Sequence, residues 1–268
     1  MAFRLVVIDE IMRAMAVALT KGQELIDVVN QIDSQLQYEN PFLWRSKITA
    51  VVREAEALLP HDVVPASVVL GMVACLRNDL SEMRSRHENA IRNAPSNGFV
   101  IFNYAQSLRK TGFYSEAAVY FEKSLRYCFD QARQLEVTTY NYMLLGRWDI
   151  AQTFYDRYRI VAPEDRLKAE VTLAQLNNFL HENEIPAEDV ARIRTAANDF
   201  LLSRGQFSET AVEITGVSSG ADFLYWKIPV RATRETIREL NSGLADYLSE
   251  QFEELYADRL VIAFTEKK

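Results

Sequence analysis

The sequence has few of the residues that build metal centres, disulfide frameworks and flexible linkers. Its 268 residues include 2 cysteines, 3 histidines, 9 glycines and 7 prolines. Cys75 and Cys128 form no CxxC pair, and no two histidines have the spacing that places two ligands on one side of a helix. We therefore expect no metal site and no disulfide framework, and this cysteine usage favours a reducing, cytoplasmic location.

The chain also lacks a net positive charge and long apolar runs. The formal net charge is −7, which opposes binding to nucleic acid because that binding depends on clustered lysine and arginine. No run of about 18 apolar residues is present to span a bilayer. The short apolar run near the N-terminus is interrupted by Asp9, Glu10 and Arg13 before it reaches the length of a signal-peptide core. We expect a folded chain that binds no nucleic acid and does not insert into a membrane.

Motifs of catalysis are missing as well. The chain has no phosphate-binding glycine loop and no Gly-x-Ser-x-Gly elbow, so neither an enzymatic activity nor a cofactor is expected. Asp222, Tyr225 and Lys227 form the one cluster in which an acid, a phenol and an amine could share a pocket. Strand alternation favours a different interpretation, in which Tyr225 and Lys227 face solvent while Leu224 and Trp226 are buried.

What the sequence has instead is one pattern that occurs twice, 34 residues apart. Residues 112–123 read GFYSEAAVYFEK and residues 146–157 read GRWDIAQTFYDR. A glycine, an aromatic residue and an alanine take the same places in both, the alanines being Ala117 and Ala151. Small residues at a fixed period indicate helical hairpins that stack on one another, because a single hairpin cannot bury its own apolar face.

This pattern resembles the tetratricopeptide repeat family, whose unit is an antiparallel pair of helices. About three units fit residues 64–165, and Leu70-Gly71 matches the Leu-Gly step of the family signature. Departures occur at Thr138-Thr139, which replace that step in the third unit, and at Phe129, where a closing proline is expected. The resemblance implies a mainly α fold, a solenoid of helical hairpins, with the second-helix alanines at close helix contacts.

The flanks of the repeats define two further segments. We assign residues 1–63 to N-terminal helices, of which the third begins at Asn40-Pro41 with a polar cap and a proline at the first helical position. Residues 64–204 form the repeats with two capping helices, and Pro186 opens the second of these. The 34-residue frame fails after residue 165, because Ile185-Pro186 falls where the second-helix alanine is expected.

Residues 205–268, the C-terminal segment, read as a small α+β unit of the order β-β-α-β. Residues 210–215 alternate and residues 223–230 are aromatic and β-branched, which predicts a hairpin. We expect Pro229 to place the second strand at an edge or to end it. A helix over 233–257 and a third strand over 260–265 follow. Because so small a unit is marginal alone, it should dock on the repeats or on a second copy, giving a homodimer.

The resemblance also implies a partner-binding groove lined by the first helix of each pair. The positions that correspond to the family's groove are apolar and aromatic in the first half and more polar later. They are Val68, Met72, Cys75, Phe99, Phe102, Gln106, Arg109, Lys110, Arg133, Glu136, Tyr140 and Met143. The groove residues that pair with a charged chaperone tail are mostly missing, so an extended segment or amphipathic helix with apolar anchors is the expected partner.

Two functions follow from this groove. We expect a non-catalytic protein-interaction module, acting as a chaperone or adaptor, and the apolar groove resembles that of the three-repeat chaperones of secretion-system translocators. The alternative is a sensor or regulator that binds a signalling peptide and transmits the change to the C-terminal segment. In a third interpretation the chain fills the groove with its own flanking segments, since an open apolar patch of this size is rare in soluble monomers.

Overall fold

A computed structural model describes residues 21–34, 41–127, 131–165, 167, 169–206, 213–215 and 223–266. The described residues are mostly helical, and they confirm a mainly α fold with a small C-terminal sheet. The first helix predicted from the sequence, over residues 5–19, lies outside the described residues, as does Asp222. The N-terminal half contains the helices α1 (21–34), α2 (Pro41–Leu58), α3 (Val63–Leu76), α4 (Leu80–Asn93), α5 (Gly98–Lys110) and α6 (Tyr114–Leu125).

The rest of the chain holds five more helices and three strands among the described residues. They are α7 (Gln131–Leu144), α8 (Trp148–Val161), α9 (Ala169–Glu182), α10 (Ala187–Ser203), β1 (Glu213–Thr215), β2 (Leu224–Val230), α11 (Arg234–Gln251) and β3 (Leu260–Glu266). The predicted start of α2 at Pro41 and the predicted opening of α10 by Pro186 are confirmed.

Internal contacts divide the chain into two compact units, 1–107 and 108–268, and the division falls within α5. We call these the first and the second unit. The three segments assigned from the sequence, 1–63, 64–204 and 205–268, stay predictions, because they rest on a repeat pattern and not on compactness.

The turns inside the first three helical hairpins repeat in detail. A residue in the left-handed region follows the first helix of each pair, at Asn78 (φ 56°), Gly112 (φ 86°) and Gly146 (φ 74°), with 34 residues between successive positions. The next residue donates its backbone N–H to a carbonyl five residues back, as in Asp79 to Ala74. This closure satisfies a helix-terminal carbonyl, and glycine or asparagine adopts the left-handed conformation with less strain than other residues.

Small residues stand where the helices of a pair approach closely. A Cβ atom on Gly71 would lie 2.7 Å from Cδ2 of His87, so the α3–α4 contact requires glycine. Ala105, Ala117 and Ala151 are fully buried. The small residues predicted from the period are therefore confirmed as interior positions.

A fourth hairpin, α9–α10, has the same kind of turn but a different place in the frame. Its left-handed residue is Glu184 (φ 55°), and Ile185 donates its N–H to Leu180. The 34-residue frame predicts this residue at position 180, so the hairpin is shifted by four residues. The shift explains why the pattern ends after residue 165 while the hairpin architecture continues.

The first unit has a core in which α1 and α2 cover α3. Leu25, Ile26 and Ile32 of α1 belong to the same buried cluster as Val68 and Met72 of α3. Every residue of α3 from Ala66 to Ala74 is buried, which explains why this helix is apolar on all sides instead of amphipathic.

The C-terminal sheet has the order β1-β2-β3, with β1 antiparallel and β3 parallel to β2. The predicted hairpin and third strand are confirmed. Two details were wrong. β2 lies between β1 and β3, so it is not an edge strand. Pro229 lies inside β2, one residue before its end, opposite Thr265. A strand residue directs its N–H to only one neighbour, so a proline interrupts only one of the two pairings. The helix ends at Gln251 and not at Ala257.

The sheet packs into the same core as the helices of the second unit. Trp226 of β2 and Trp148 of α8 are both fully buried, and their ring centroids lie 5.3 Å apart. A Cβ on Gly146 would lie 3.2 Å from the Trp226 ring. The prediction that the small unit docks on the repeats is therefore confirmed within this unit.

Candidate functional site

The groove positions predicted in the first unit are mostly inside it. Val68, Met72 and Phe102 are at most 7% exposed, so these three side chains lie in the interior of the first unit. Phe99 is 41% exposed. Cys75 and Gln106 are half-buried, and the Cys75 thiol lies 3.6 Å from the backbone oxygen of Ser107.

The groove positions predicted in the second unit are more accessible. Arg133 is exposed, and the others are half-buried; these are Arg109, Lys110, Glu136, Tyr140 and Met143. The partner-binding role of all twelve positions stays a prediction. In the first unit, helix α1 covers part of the predicted surface, as in the interpretation that the chain fills its own groove.

A different concave surface lies in the second unit, where one face of α10 is open between two walls. We call it the α10 groove. It has a volume of about 610 Å³, which is within the range of ligand-binding clefts. The residues that α10 contributes are Glu188, Ala191, Arg192, Thr195, Ala196 and Asp199. Successive members are one or three positions apart, so they form one continuous stripe along the helix.

The opposite face of α10 explains why this stripe is held open. Val190, Ile193, Ala197 and Leu201 are buried in the core of the second unit. The helix is therefore fixed by its apolar face, while the small side chains of Ala191 and Ala196 form a shallow floor on the other side. Small floor residues allow the backbone of an approaching segment to come close, as they do in packed helix pairs.

The two walls of the groove are apolar and aromatic. One wall contains Ala118, Val119 and Leu145, and Val119 is 65% exposed. Tyr247 and Phe252 form the other wall. Val119 is the one strongly exposed apolar side chain of these walls, since Ala118 and Leu145 are buried and Tyr247 and Phe252 are half-buried.

Contacts to α10 hold the second wall in place. The Tyr247 ring packs on Phe200 with centroids 5.4 Å apart. The Arg192 guanidinium lies over the Phe252 ring at 5.4 Å. Beyond Phe252, the Tyr256 hydroxyl donates to Asp189 at 2.7 Å. This hydrogen bond is the main cause that raises the pKa of Tyr256 to about 12.

Charged groups stand at the two ends of the groove. Arg147 makes two hydrogen bonds to Asp149, at 3.1 and 3.0 Å, and these bonds raise the pKa of Arg147. Together with Glu188 and Arg192 it marks one end. Asp199 lies eleven residues along the helix from Glu188, a distance of about 16 Å at the helical rise. Burial raises the pKa of the Asp199 carboxyl.

Tyr142 lies between the floor and the first wall. Its hydroxyl donates to Oε1 of Glu122. Burial, followed by this hydrogen bond, raises the pKa of Tyr142, so the phenol stays protonated over the physiological range. Tyr142 therefore contributes a protonated hydroxyl group to the lining of the groove.

The cluster considered for catalysis is a surface feature. Leu224 and Trp226 are buried, whereas Tyr225 and Lys227 are half-buried on the other face of β2. The Lys227 ammonium lies over the Tyr225 ring at 5.6 Å. The predicted alternation is confirmed. Among the described residues, no three histidine, cysteine or acidic side chains are grouped so as to hold a metal ion.

The edge strand β3 is partly closed by a side chain. The Asn241 amide of α11 donates to the Phe264 carbonyl at 2.9 Å and accepts from the Phe264 N–H at 2.8 Å. The side chain thus occupies the backbone groups that another strand would use for pairing, which is a common protection of sheet edges.

None of the described helices combines the length and apolar character needed to cross a bilayer.

Sequence reasoning missed the α10 groove, although part of the signal was present. The small residues Ala191, Thr195 and Ala196 recur at helical spacing on the polar side of α10. The walls come from α6 and α11, which are far from α10 in the sequence, so no local pattern connects them.

A comparison with known proteins finds no protein-family model and no curated protein that matches the chain. The function of the chain is therefore inferred from the geometry of the site.

Proposed function

We propose that the chain is a non-catalytic protein-interaction module, and that the α10 groove binds an apolar segment of a partner protein. The observation that carries this proposal is the exposed apolar wall at Val119, which stands over a floor of small side chains. Exposed apolar surface inside a concave site gains free energy when a partner covers it, by about 25 cal/mol for each Å² removed from water.

The groove suits an amphipathic helix with apolar residues on one face. The floor at Ala191 and Ala196 admits a closely packed backbone. Asp199 at one end would attract a lysine or arginine of the partner. The other end carries both signs, because Arg147 and Arg192 lie there beside Glu188 and pair with Asp149 and Asp189.

We infer that the hairpins are of the tetratricopeptide type. The inference is supported by the second helices of the pairs, which begin at Leu80, Tyr114 and Trp148 at intervals of 34 residues. It is supported too by the left-handed residue that recurs at the same interval. Many proteins with such scaffolds hold other proteins, so chaperone or adaptor is the expected role, at the level of fold analogy. A cytoplasmic location stays a prediction.

Site-specific photo-crosslinking tests the groove directly. A photoreactive phenylalanine analogue is placed at Val119 in one variant and at Ile160 in the other, and both are irradiated in native lysate. Ile160 is 81% exposed on α8 and does not line the groove, so it is a matched control. We expect a protein partner to be linked through Val119 and not through Ile160.

The crosslinked peptide is then identified by mass spectrometry. A single apolar or amphipathic segment supports the proposal. Equal labelling at both positions would mean that Val119 reports only random encounters, and the groove would then not be a binding site.

The sensor function has one observation in its favour. Tyr247 and Gln251 of α11 line the groove, so a bound segment would touch the C-terminal segment directly. Hydrogen exchange of α11 and β3 tests this alternative. A partner peptide that slows exchange only in α6 and α10 supports simple capture, whereas altered exchange along β3 supports transmission. Self-association through the C-terminal segment stays a prediction.

A further inference from the structure

The core of the second unit contains a buried arginine. Arg194 lies on the apolar face of α10 and is 1% exposed. Its guanidinium carbon lies 5.6 Å from the Tyr114 ring centroid and 5.4 Å from the Trp226 ring centroid. Two aromatic rings within about 6 Å stabilise a cation through their π-systems. This attraction acts through the faces of the rings and leaves the N–H groups of the guanidinium unpaired.

These N–H groups have no acceptor in the described part of the chain. The atoms Nε, Nη1 and Nη2 of Arg194 are all buried without a hydrogen-bond partner, and so is Nε1 of Trp226. A guanidinium carries five N–H donors and does not lose its charge in proteins. A buried charge without partners is strongly unfavourable, and a donor that is left unpaired adds to this. The site therefore presents a fixed positive charge with free donors.

The amide nitrogens of Asn198 and Asn141 are committed to backbone carbonyls, whereas the Oδ1 atoms of both side chains are buried and have no hydrogen-bond partner in the described chain. The Asn198 side chain donates to the Gly112 carbonyl at 2.9 Å, and the Asn141 side chain donates to the Tyr114 carbonyl at 3.0 Å. Both side chains thus hold the turn before α6. Among the described residues no carboxylate acts on the pKa of Arg194, which burial lowers and the Tyr114 hydroxyl raises. The described residues supply no compensating negative charge at this position.

We propose that Arg194 is the centre of a small anion-binding site, which takes a monovalent anion and favours a planar carboxylate. One negative charge balances the guanidinium, and a carboxylate matches its fork of donors with two parallel hydrogen bonds. A doubly charged phosphate would leave one charge uncompensated in the core. The anion would sit where Tyr114 and Trp226 cover it and would link α10 to the C-terminal sheet.

The test is thermal unfolding of the full-length protein in rising concentrations of sodium formate, sodium acetate and sodium chloride. A ligand that binds only the folded state raises the Tm as its concentration rises. Arg194→Met removes the charge and keeps a similar length. Arg159→Met, at an exposed side chain on α8 that does not line the α10 groove, is the matched control. Comparing the three proteins in the same salts cancels the general effects of salt on stability.

We expect formate to raise the Tm of wild type and of Arg159→Met, and to leave the Tm of Arg194→Met at the general salt effect. Formate should also change the tryptophan fluorescence of wild type, because Trp226 lies beside the site. A response to chloride that equals the response to formate would assign the site to a spherical ion and overturn the preference for a carboxylate.

Two results would overturn the site itself. One is an equal response to formate in wild type and in Arg194→Met. The other is no response in wild type, which would mean that the Asn198 carbonyl turns to accept from Arg194 and completes the core. Should Arg194→Met fail to fold, Arg194→Lys keeps the charge but loses the planar fork. It should then need several-fold more formate for the same rise in Tm.

Discussion

The two units bury an ionisable side chain in different ways. In the first unit, His87 is fully buried, with Nε2 2.9 Å from the Ser107 hydroxyl and its ring 5.2 Å from that of Tyr104. Burial lowers its pKa to about 3. In the second unit, Arg194 is equally buried, but its guanidinium nitrogens have no acceptor among the described residues.

The free-energy cost of burying an ionisable side chain depends on whether that side chain can lose its charge. At neutral pH His87 is uncharged, so its burial costs little beyond the Nδ1 atom that has no partner in the described chain. Arginine has no neutral form within reach, and its charge must be balanced by another group. Among the described residues, His87 therefore leaves no buried charge unbalanced in the first unit, whereas Arg194 leaves one in the second, which an anion would balance.

The largest expected effect breaks the second core at its centre. Trp226→Ala removes a fully buried ring that packs on Trp148, and it should lower the free energy of unfolding by about 3–5 kcal/mol. Urea unfolding followed by circular dichroism measures the loss. Hydrogen exchange should place it in residues 108–268. A loss below about 1 kcal/mol, or one confined to the first unit, would contradict the packing described for β2.

Arg194→Met should act in the opposite direction. Replacing a buried, uncompensated charge by an apolar side chain of similar length often stabilises a protein by about 1–4 kcal/mol. The gain is measured by urea unfolding in a buffer without small carboxylates. Arg159→Met should stay within about 0.5 kcal/mol of wild type. If Arg194→Met were destabilised by several kcal/mol while Arg159→Met were not, the guanidinium would have a partner in the folded chain.

Gly71→Ala tests how closely the helices around His87 are packed in the first unit. The new methyl group would lie 2.7 Å from the His87 ring, which stacks on Tyr104 and cannot retreat freely. Such overpacking should lower the free energy of unfolding by about 1–3 kcal/mol. Thermal unfolding of the variant is the check, and an unchanged Tm would show that α3 and α4 are less closely packed than described.

The smallest effect, counted for each pH unit, is a loss of stability caused by protonation of His87. Because its pKa is lower in the folded state, the unfolded chain binds a proton first as the pH falls. Stability is thus present above the ordinary pKa of about 6.5, and is lost towards pH 3. The loss should be about 1.4 kcal/mol for each pH unit in that window. His87→Gln should lose less over the same window. Parallel curves for the two proteins would disprove a neutral, buried His87.

Much of the helical architecture was predictable, because it is written in local patterns. The left-handed turn positions at Gly112 and Gly146 and the interior alanines recur at one interval. The β-β-α-β order of the C-terminal segment was also legible, since strand alternation and helix periodicity differ. The end of α11 was not, because Phe252 and Tyr256 leave the helix to contact Arg192 and Asp189 of α10.

The candidate site was harder to predict for the same reason. The predicted groove assumed that the first helices of the pairs stay open, but Val68 and Met72 are buried in a cluster to which α1 contributes Leu25, Ile26 and Ile32. The α10 groove depends on packing between segments that lie far apart in the sequence. Arg194 did leave a signal, since it stands on the apolar stripe of Val190, Ala197 and Leu201, where a solvated arginine would not be placed.

The central claim is that the α10 groove binds a partner, and one pair of variants tests it most directly. Val119→Asp places a charge in the apolar wall, and Ile160→Asp places the same charge on exposed α8. Both exchanges lie at the surface and should change stability by no more than about 0.5 kcal/mol. The measurement is the affinity of each variant for the segment identified by crosslinking. We predict a loss of about tenfold or more for Val119→Asp and none for Ile160→Asp; equal affinities would contradict the account.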